Sequence, residues 1–507
     1  MITSSTNSRN LLLVFLLIAG SIVFLCVSWN FALELPLLGI AGLGVLLYVG
    51  DRFPEWFLVA AVFAPQWKTF SIFKRLDNIV DLTIAMLACL IAALAWRLLF
   101  QPVRSHPLDF RKLFFGQGNA VLAFFLFALI ITASYVYTNA PNYGGSKLAR
   151  FLTIGFLFFI APFFLILTEE NFRRFARAFV AFSVATALQL IYTLEHGSVD
   201  PNADITRIGA GWLLGMAAIL VLFYPLVPSR RGQRALFIFA LPLCVAGLVA
   251  SAARGPILAL AVAVVLGAIT WLRQGRLRGR TALVLLLLLS AGFGGAYFIF
   301  RQADLGKYTG KADEFATIVT GGSSSGSAGK RLDFYKNTLA AIPNHLMLGT
   351  GIGSWSTFYY GTDLRNYPHN LLLEITFEEG VIGLAAFSAF LFVVGAAIFR
   401  MQRESRSHFL ALALIVLYCV IVSLFSGDLD DNRLLWLWAG ITLAICRTVR
   451  LRLKAAAGPF PKRAYRRPSA QQLTSPWPPA PAYSGRVAMR RHPVSRRGRA
   501  WREKFVY

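Results

Sequence analysis

The chain has 507 residues, 57% of them hydrophobic and only 15% charged, against about a quarter charged in an ordinary globular protein. So apolar a chain cannot bury its surface in a water-soluble globule, which excludes the soluble, disordered, collagenous and disulfide-scaffold classes and makes a membrane its solvent. The net charge of +26 does not indicate nucleic acid, because residues 451–507 carry fourteen Lys/Arg against Glu503 alone and the rest is spread over short loops, as the positive-inside bias places it.

Apolar runs near the span length of about twenty residues predict helices near 11–29, 31–50, 55–66, 79–98, 120–138, 148–168, 172–194, 209–227, 234–252, 255–272, 281–300, 371–399, 408–426 and 433–447. The first, beginning after Arg9, lacks a small-residue cleavage site and is expected to be an uncleaved helix. The third is short and re-entrant or spanning. The predicted fold is an all-α polytopic membrane helix bundle with 12–14 transmembrane helices. Cys26, Cys89, Cys244, Cys419 and Cys446 all fall in apolar runs without metal-ligand spacing, so they are expected to be small packing residues.

Basic segments at Arg97–Lys112, Arg173–Arg177, Arg230–Arg234, Arg273–Arg280 and Arg400–Arg406 each lie one pair of spans apart. They are assigned to the cytoplasmic side together with the basic C-terminus, and loops 139–147, 195–208, 301–370 and 427–432 to the other side. Lys68, Lys74 and Arg75 contradict this alternation near the N-terminus. Residues 301–370 are far longer than a connection requires and are expected to be part helical. The tail from about 455, with Pro476-Trp-Pro-Pro-Ala-Pro481 and Arg496-Arg497-Gly-Arg499, has no foldable apolar pattern and is expected to be disordered.

Two apparent motifs carry nothing. Gly329-Lys330 after a Gly/Ser tract lacks the earlier Gly and the following Ser/Thr of a phosphate loop, with Ser324 and Arg331 in those places. Ser327-Ala-Gly-Lys330 fits a Ser-x-x-Lys pattern but has none of its partner motifs.

The external loop ends in Gly349-Thr-Gly351-Ile-Gly353 and then Pro368-His369-Asn370, followed by Glu374, Glu378, Glu379, Gly380 and Gly383. His369 falls where loop meets helix, at the membrane boundary. By itself such a histidine is either a helix-start residue bonding a lipid headgroup or a reactive base. Asp363, Glu374, Glu378 and Glu379 read mainly as charges favoured at a helix start, with a base role as the alternative. The turn Gly427-Asp-Leu-Asp-Asp-Asn-Arg433 reads as a solvated turn or a sugar contact. No Asp-x-Asp pair or His/Cys cluster stands out, so neither metal nor cofactor is expected.

His-Asn, nine residues, then Gly-x-x-Gly resembles the signature of the O-antigen ligase and O-antigen polymerase family of bacterial membrane glycosyltransferases. Ser251-Ala-Ala-Arg254-Gly255, Gly329-Lys-Arg331-Leu-x-x-Tyr335 and Leu348-Gly-x-Gly351-x-Gly353 resemble further elements of that family, in its order. Ala253 replaces a frequent Ser, and the tail after 455 has no counterpart in it. The resemblance implies N-terminal transmembrane helices over 1–204, a ligase/polymerase core over 205–447 that includes periplasmic loop 301–370, and a basic cytoplasmic tail over 448–507. It also implies transfer of a glycan from undecaprenyl diphosphate to a hydroxyl of lipid A-core, or of a second lipid-linked glycan, at the periplasmic face of the bacterial inner membrane.

In that chemistry the diphosphate needs positive charge and the acceptor hydroxyl needs a base. His369 is then the expected base. Arg254, Arg331 and Arg207 are the expected diphosphate ligands, since guanidinium stays charged and bonds phosphate bidentately, with Lys147 a weaker candidate. Asn370, Gly380 and Gly383 are expected to support them. A transporter or flippase and a scaffold acting through its basic tail are the rival readings, but the chain lacks a visible internal repeat.

Overall fold

The computed structural model describes residues 52–68, 81–100, 118–196, 203–227, 229–275, 327–404 and 409–456. The spans expected at 11–29, 31–50 and 281–300, most of the Gly/Ser tract, Cys26 and the basic tail lie outside them. Among the described residues the chain is helical throughout, with no strand. Seven of the described helices are long and apolar enough to cross a membrane, and three shorter ones are strongly apolar, which bears out the expected polytopic helix bundle.

In chain order the helices are α1 (Glu55–Trp67), α2 (Leu82–Phe100), α3 (Gly118–Ser134), α4 (Pro141–Arg150), α5 (Phe156–Leu165), α6 (Glu169–His196), α7 (Ala203–Phe223), α8 (Arg230–Ala250) and α9 (Arg254–Arg273). Next come α10 (Ser327–Ala341), the single turn α11 (Trp355–Tyr360), α12 (Leu371–Glu378), α13 (Gly380–Glu404), α14 (Phe409–Ser423) and α15 (Arg433–Ala456). The loop before α12 is therefore part helical, as expected. A π-turn at Phe151–Gly155 joins α4 to α5, and the two make one continuous span, Pro141–Leu165.

Two boundaries differ from those read in the sequence. The segment 141–147, expected as an external loop because of its Asn, Gly and Ser, is the first part of α4. The run 371–399, expected as one helix, is broken at Glu379 and Gly380 into α12 and α13.

Among the described spans α15 is the most enclosed, with 72% of its apolar window buried. Side chains two positions apart on a helix point about 200° apart, so Trp436 and Trp438 serve opposite sides of it. Trp436 packs among Phe124, Phe127, Phe151, Phe387 and Phe390, whereas Trp438 packs on Phe175 and Phe179 and donates to the Met216 sulfur at 3.1 Å. Around it α3 packs on α13, α6 on α7 and α8, and α9 on α14. Cys244, Cys419 and Cys446 are buried and Cys89 is half-buried, in agreement with a packing role.

At one end of the bundle Arg452 pairs with Glu169 at 3.1 Å and Arg177 donates to the Leu226 carbonyl at 2.8 Å. The opposite end holds the starts of α4, α9, α13 and α15 together with α10, α11 and α12, and this is where the candidate residues gather.

Candidate active site

Three expected site residues, Arg254, Arg331 and His369, come together at that end around the chain between α14 and α15. Helix α8 ends at Ala250 and α9 restarts at Arg254, across a turn in which Ala252 takes the left-handed backbone conformation, φ 53°. Ser251 closes this turn by donating to the Leu248 carbonyl at 2.6 Å and accepting from the Ala253 amide at 3.3 Å. Arg254 is thereby exposed on the first turn of α9, and a methyl group on Gly255 would come within 2.9 Å of the Phe425 side chain. Arg331, half-buried on α10, donates to the Phe425 carbonyl at 2.9 Å. Arg331 and the Arg254–Gly255 turn thus meet at the same residue from two elements far apart in sequence. Arg207 lies on α7 one turn before Gly211, whose backbone packs against Ser251 and Ala253.

His369 sits beside Arg331. Its ring stacks over Phe334 with centroids 6.3 Å apart and meets the edge of Tyr367 at 4.6 Å. The Tyr335 hydroxyl lies between its carbonyl and that of Leu424, at 3.4 and 3.3 Å. Its own backbone is left-handed, φ 60°, a conformation uncommon outside glycine and often kept at functional sites. Burial, and then the positive charge of Arg331, push its pKa down to about 4 against a smaller opposing pull from Asp428. The imidazole is therefore neutral at physiological pH, and its buried Nδ1 has no hydrogen-bond partner within the protein.

The expected supporting residues have structural duties. Asn370 caps α12, its side-chain oxygen accepting from the Leu373 amide at 3.1 Å. Gly380 is left-handed, φ 67°, directly against the Met347 carbonyl, where a side chain would both strain the backbone and collide. Gly383 leaves room for the Glu379 side chain.

Lys147 overturns the reading of it as a diphosphate ligand. It is fully buried, with Nζ 2.5 Å from Glu378 and also paired with Glu374, so no substrate phosphate reaches it. Glu374, Glu378 and Glu379 are buried too, rather than being solvated charges at a helix start. One ammonium against three carboxylates in a dry site cannot hold all three ionised. Burial drives the Glu374 carboxyl up to about 8 despite Lys147, and burial with the neighbouring Glu378 raises Glu379 well above the ordinary range.

The turn after α14 is likewise not a solvated one. Asp428 is buried, accepting from the Tyr143 hydroxyl at 2.6 Å and from the Asp431 amide at 2.9 Å. Burial favours its neutral form, but a hydrogen bond with Asp430, the charges of Lys147 and Arg365 and the Tyr143 hydroxyl outweigh that and hold it well below the usual carboxylate range. Asp430 shows the reverse, pushed up to about 9 by burial and then by Asp428. Arg365 pairs with Asp431 at 2.7 Å, Asp428 at 3.6 Å and Asp430 at 3.9 Å. Glu374 accepts from the Leu429 amide at 3.1 Å, and Asp363 caps α4 by accepting from the Asn142 and Tyr143 amides at 2.8 and 2.9 Å. Together these bonds tie α4, α12 and the 427–433 turn into one unit beneath His369.

Asp428, Asp430 and Asp431 bring carboxylate oxygens within 4.8 Å of one another, close enough to hold a cation. The guanidinium of Arg365 already lies against all three. Sequence reading singled out the acidic turn but missed the network it closes, because Tyr143 lies 285 residues before Asp428 and Arg365 belongs to a separate segment. The only local signal was the density of acidic residues on either side of α13 and α14.

Chemically, the end of the bundle offers guanidinium groups for an anion next to a neutral, half-buried imidazole. Among known proteins, a family described as O-antigen ligase matches residues 237–388. The matched stretch runs from within α8 into α13 and includes Arg254, Arg331, His369, Asn370, Gly380 and Gly383. No curated protein matches the chain.

Proposed function

We propose that this chain, a member of the O-antigen ligase family and a membrane enzyme of the ligase/polymerase type in polysaccharide biosynthesis, moves a glycan from undecaprenyl diphosphate to a hydroxyl of lipid A-core at the periplasmic face. What supports the reading is a neutral His369 beside Arg331, whose guanidinium donates to the Phe425 carbonyl, with the Arg254–Gly255 turn packed on that same residue. Arg254 and Arg331, with Arg207 beside them, bind the diphosphate and neutralise the charge it gains as it leaves. His369 takes the proton of the acceptor hydroxyl as its oxygen bonds to the anomeric carbon. The bond from that carbon to the phosphate oxygen breaks, and undecaprenyl diphosphate departs with the electron pair. A diphosphate leaves readily without a protein acid, so one inverting displacement suffices. The reading requires no metal, since Arg365 supplies the positive charge at the Asp428, Asp430 and Asp431 carboxylates.

Purified protein in nanodiscs, treated with chelator and given an undecaprenyl-diphosphate-linked glycan, tests this with lipid A-core and free lipid-linked glycan as separate acceptors. Transfer to lipid A-core supports the ligase reading, whereas chain lengthening without it identifies a polymerase. Donor binding with no transfer to either acceptor favours a transporter. Arg254→Ala is expected to lose donor binding by at least tenfold, in keeping with the roughly 1.5–3 kcal/mol of a hydrogen bond to a charged group; unchanged binding overturns its assignment.

The depressed histidine pKa gives a pH signature. As pH falls, the base is lost only when His369 protonates, near pH 4 rather than near its ordinary 6.5. The acid limb of kcat/KM for transfer is therefore expected below pH 5, with activity at pH 5.5 close to that at pH 7.5. A limb centred near 6.5 contradicts the buried environment assigned to His369.

A further inference from the structure

The turn that follows the 3-10 segment Ile342–His345 carries three consecutive apolar residues turned outward. Met347 is 62% exposed and Leu348 57%, and Leu346 is exposed as well. Single exposed apolar residues are ordinary on a protein surface, whereas a contiguous patch marks a contact.

This patch is continuous with the surface that two spans present to lipid. On α3 the exposed residues Leu122, Leu126 and Leu129 recur at helical spacing, and Val136, 86% exposed, extends the same stripe into the turn after the helix. On α13 the exposed face runs from Phe399 through Phe392 to Val381 and Ile382 at its first turn. Both stripes end at the 346–348 turn, which is bonded to both spans. The Tyr137 hydroxyl donates to the Leu348 carbonyl at 2.6 Å. The Val381 and Ile382 amides donate to the Leu346 and Met347 carbonyls at 2.8 and 3.4 Å. Tyr135 and Tyr137, both exposed, lie at the level where interfacial aromatic residues mark a membrane boundary.

We infer that the Leu346-Met347-Leu348 turn is a membrane wedge, inserted into the acyl region of the leaflet next to the site. Its carbonyls are held by α13 and Tyr137, so the wedge enters lipid with those backbone acceptors satisfied, as an apolar solvent requires. It also fixes the height of the site. Thr350 and Gly351 donate to the Phe377 and Glu378 carbonyls at the end of α12. The other end of that helix is capped by Asn370, next to His369. An eight-residue helix is about 12 Å long, so His369 is held within about one short helix of the inserted turn. The inference does not depend on the proposed reaction.

Electron paramagnetic resonance on the full chain tests it, with the native cysteines replaced by alanine and a nitroxide on Met347→Cys. The protein is reconstituted in vesicles of phosphatidylethanolamine and phosphatidylglycerol, and collision with lipid-soluble oxygen is compared with collision with a water-soluble nickel chelate. A label at Leu129→Cys serves as the lipid reference and one at Lys336→Cys, on the exposed face of α10, as the water reference. The oxygen-to-nickel accessibility ratio at 347 is expected to be several-fold above that at 336 and to approach that at 129. A nickel-dominated signal like that at 336 overturns the inference. Protection from both reagents overturns it too, since the turn then meets protein, such as a second copy of the chain. Leu348→Cys gives the same reading if the label at 347 prevents folding.

Discussion

Replacing His369 by asparagine or alanine is expected to lower glycan transfer by about 10²- to 10⁴-fold, the usual contribution of a positioned general base. Asparagine is the more informative variant. Residue 369 has φ 60°, which asparagine tolerates better than most residues, so His369→Asn removes the imidazole with little strain on the backbone. The amount of protein in the membrane and the affinity for the lipid-linked donor are expected to stay at wild-type levels, because the diphosphate is assigned to Arg254 and Arg331. Transfer at the wild-type rate by either variant would overturn the base assignment. Loss of donor binding in both would move His369 from proton transfer to diphosphate recognition.

Lys147→Met is expected to act on stability. It leaves Glu374, Glu378 and Glu379 buried without their shared ammonium, and breaking one side of a buried ion pair costs about 3–5 kcal/mol. The measurement is the thermal midpoint of the purified protein in detergent, which should fall markedly. Protonating more of the carboxylates offsets part of the cost, so the deficit is expected to shrink as pH is lowered. The pKa values of Glu374 and Glu379, already raised with Lys147 present, rise further without it, so the folded state binds more protons than the unfolded one across neutral pH. Adding Glu378→Gln to Lys147→Met should recover part of the midpoint. A midpoint unchanged by Lys147→Met would show that the cluster contributes no net stability.

Which of these features the sequence displays depends on how local their causes are. Apolar runs near 120–138, 234–252, 255–272 and 408–426 lie within a few residues of α3, α8, α9 and α14, because hydrophobicity over a span is a local property. Pro141-Asn-Tyr-Gly-Gly-Ser-Lys147 reads as a loop because its helix is completed from elsewhere: Asp363 caps its start and carboxylates on α12 take up Lys147. The break in 371–399 was foreshadowed only by Gly380, whose reason for being glycine is the Met347 carbonyl of a separate segment.

The site divides in the same way. His369, Arg254 and Arg331 are legible through ordered short motifs, and the structure gathers them around residues 424 and 425. The depressed pKa of His369 follows from the expected arginine but owes more to burial, which no motif displays. The carboxylate network beneath it is illegible, since an acidic residue looks the same in sequence whether solvated or enclosed.

The lysine–carboxylate cluster also bears on biogenesis. Lys147 leaves the ribosome more than two hundred residues before Glu374 and Glu378, and Asp428 follows later still. Contacts between such distant parts of a chain close late, after the intervening segments have been placed. Until then the ammonium is an uncompensated charge on an apolar span, a state that favours a water-exposed position at the edge of the bilayer. The contacts that tie α4 to α12 and to the 427–433 turn can form only after those later segments have been made, and the platform under His369 is complete only with them.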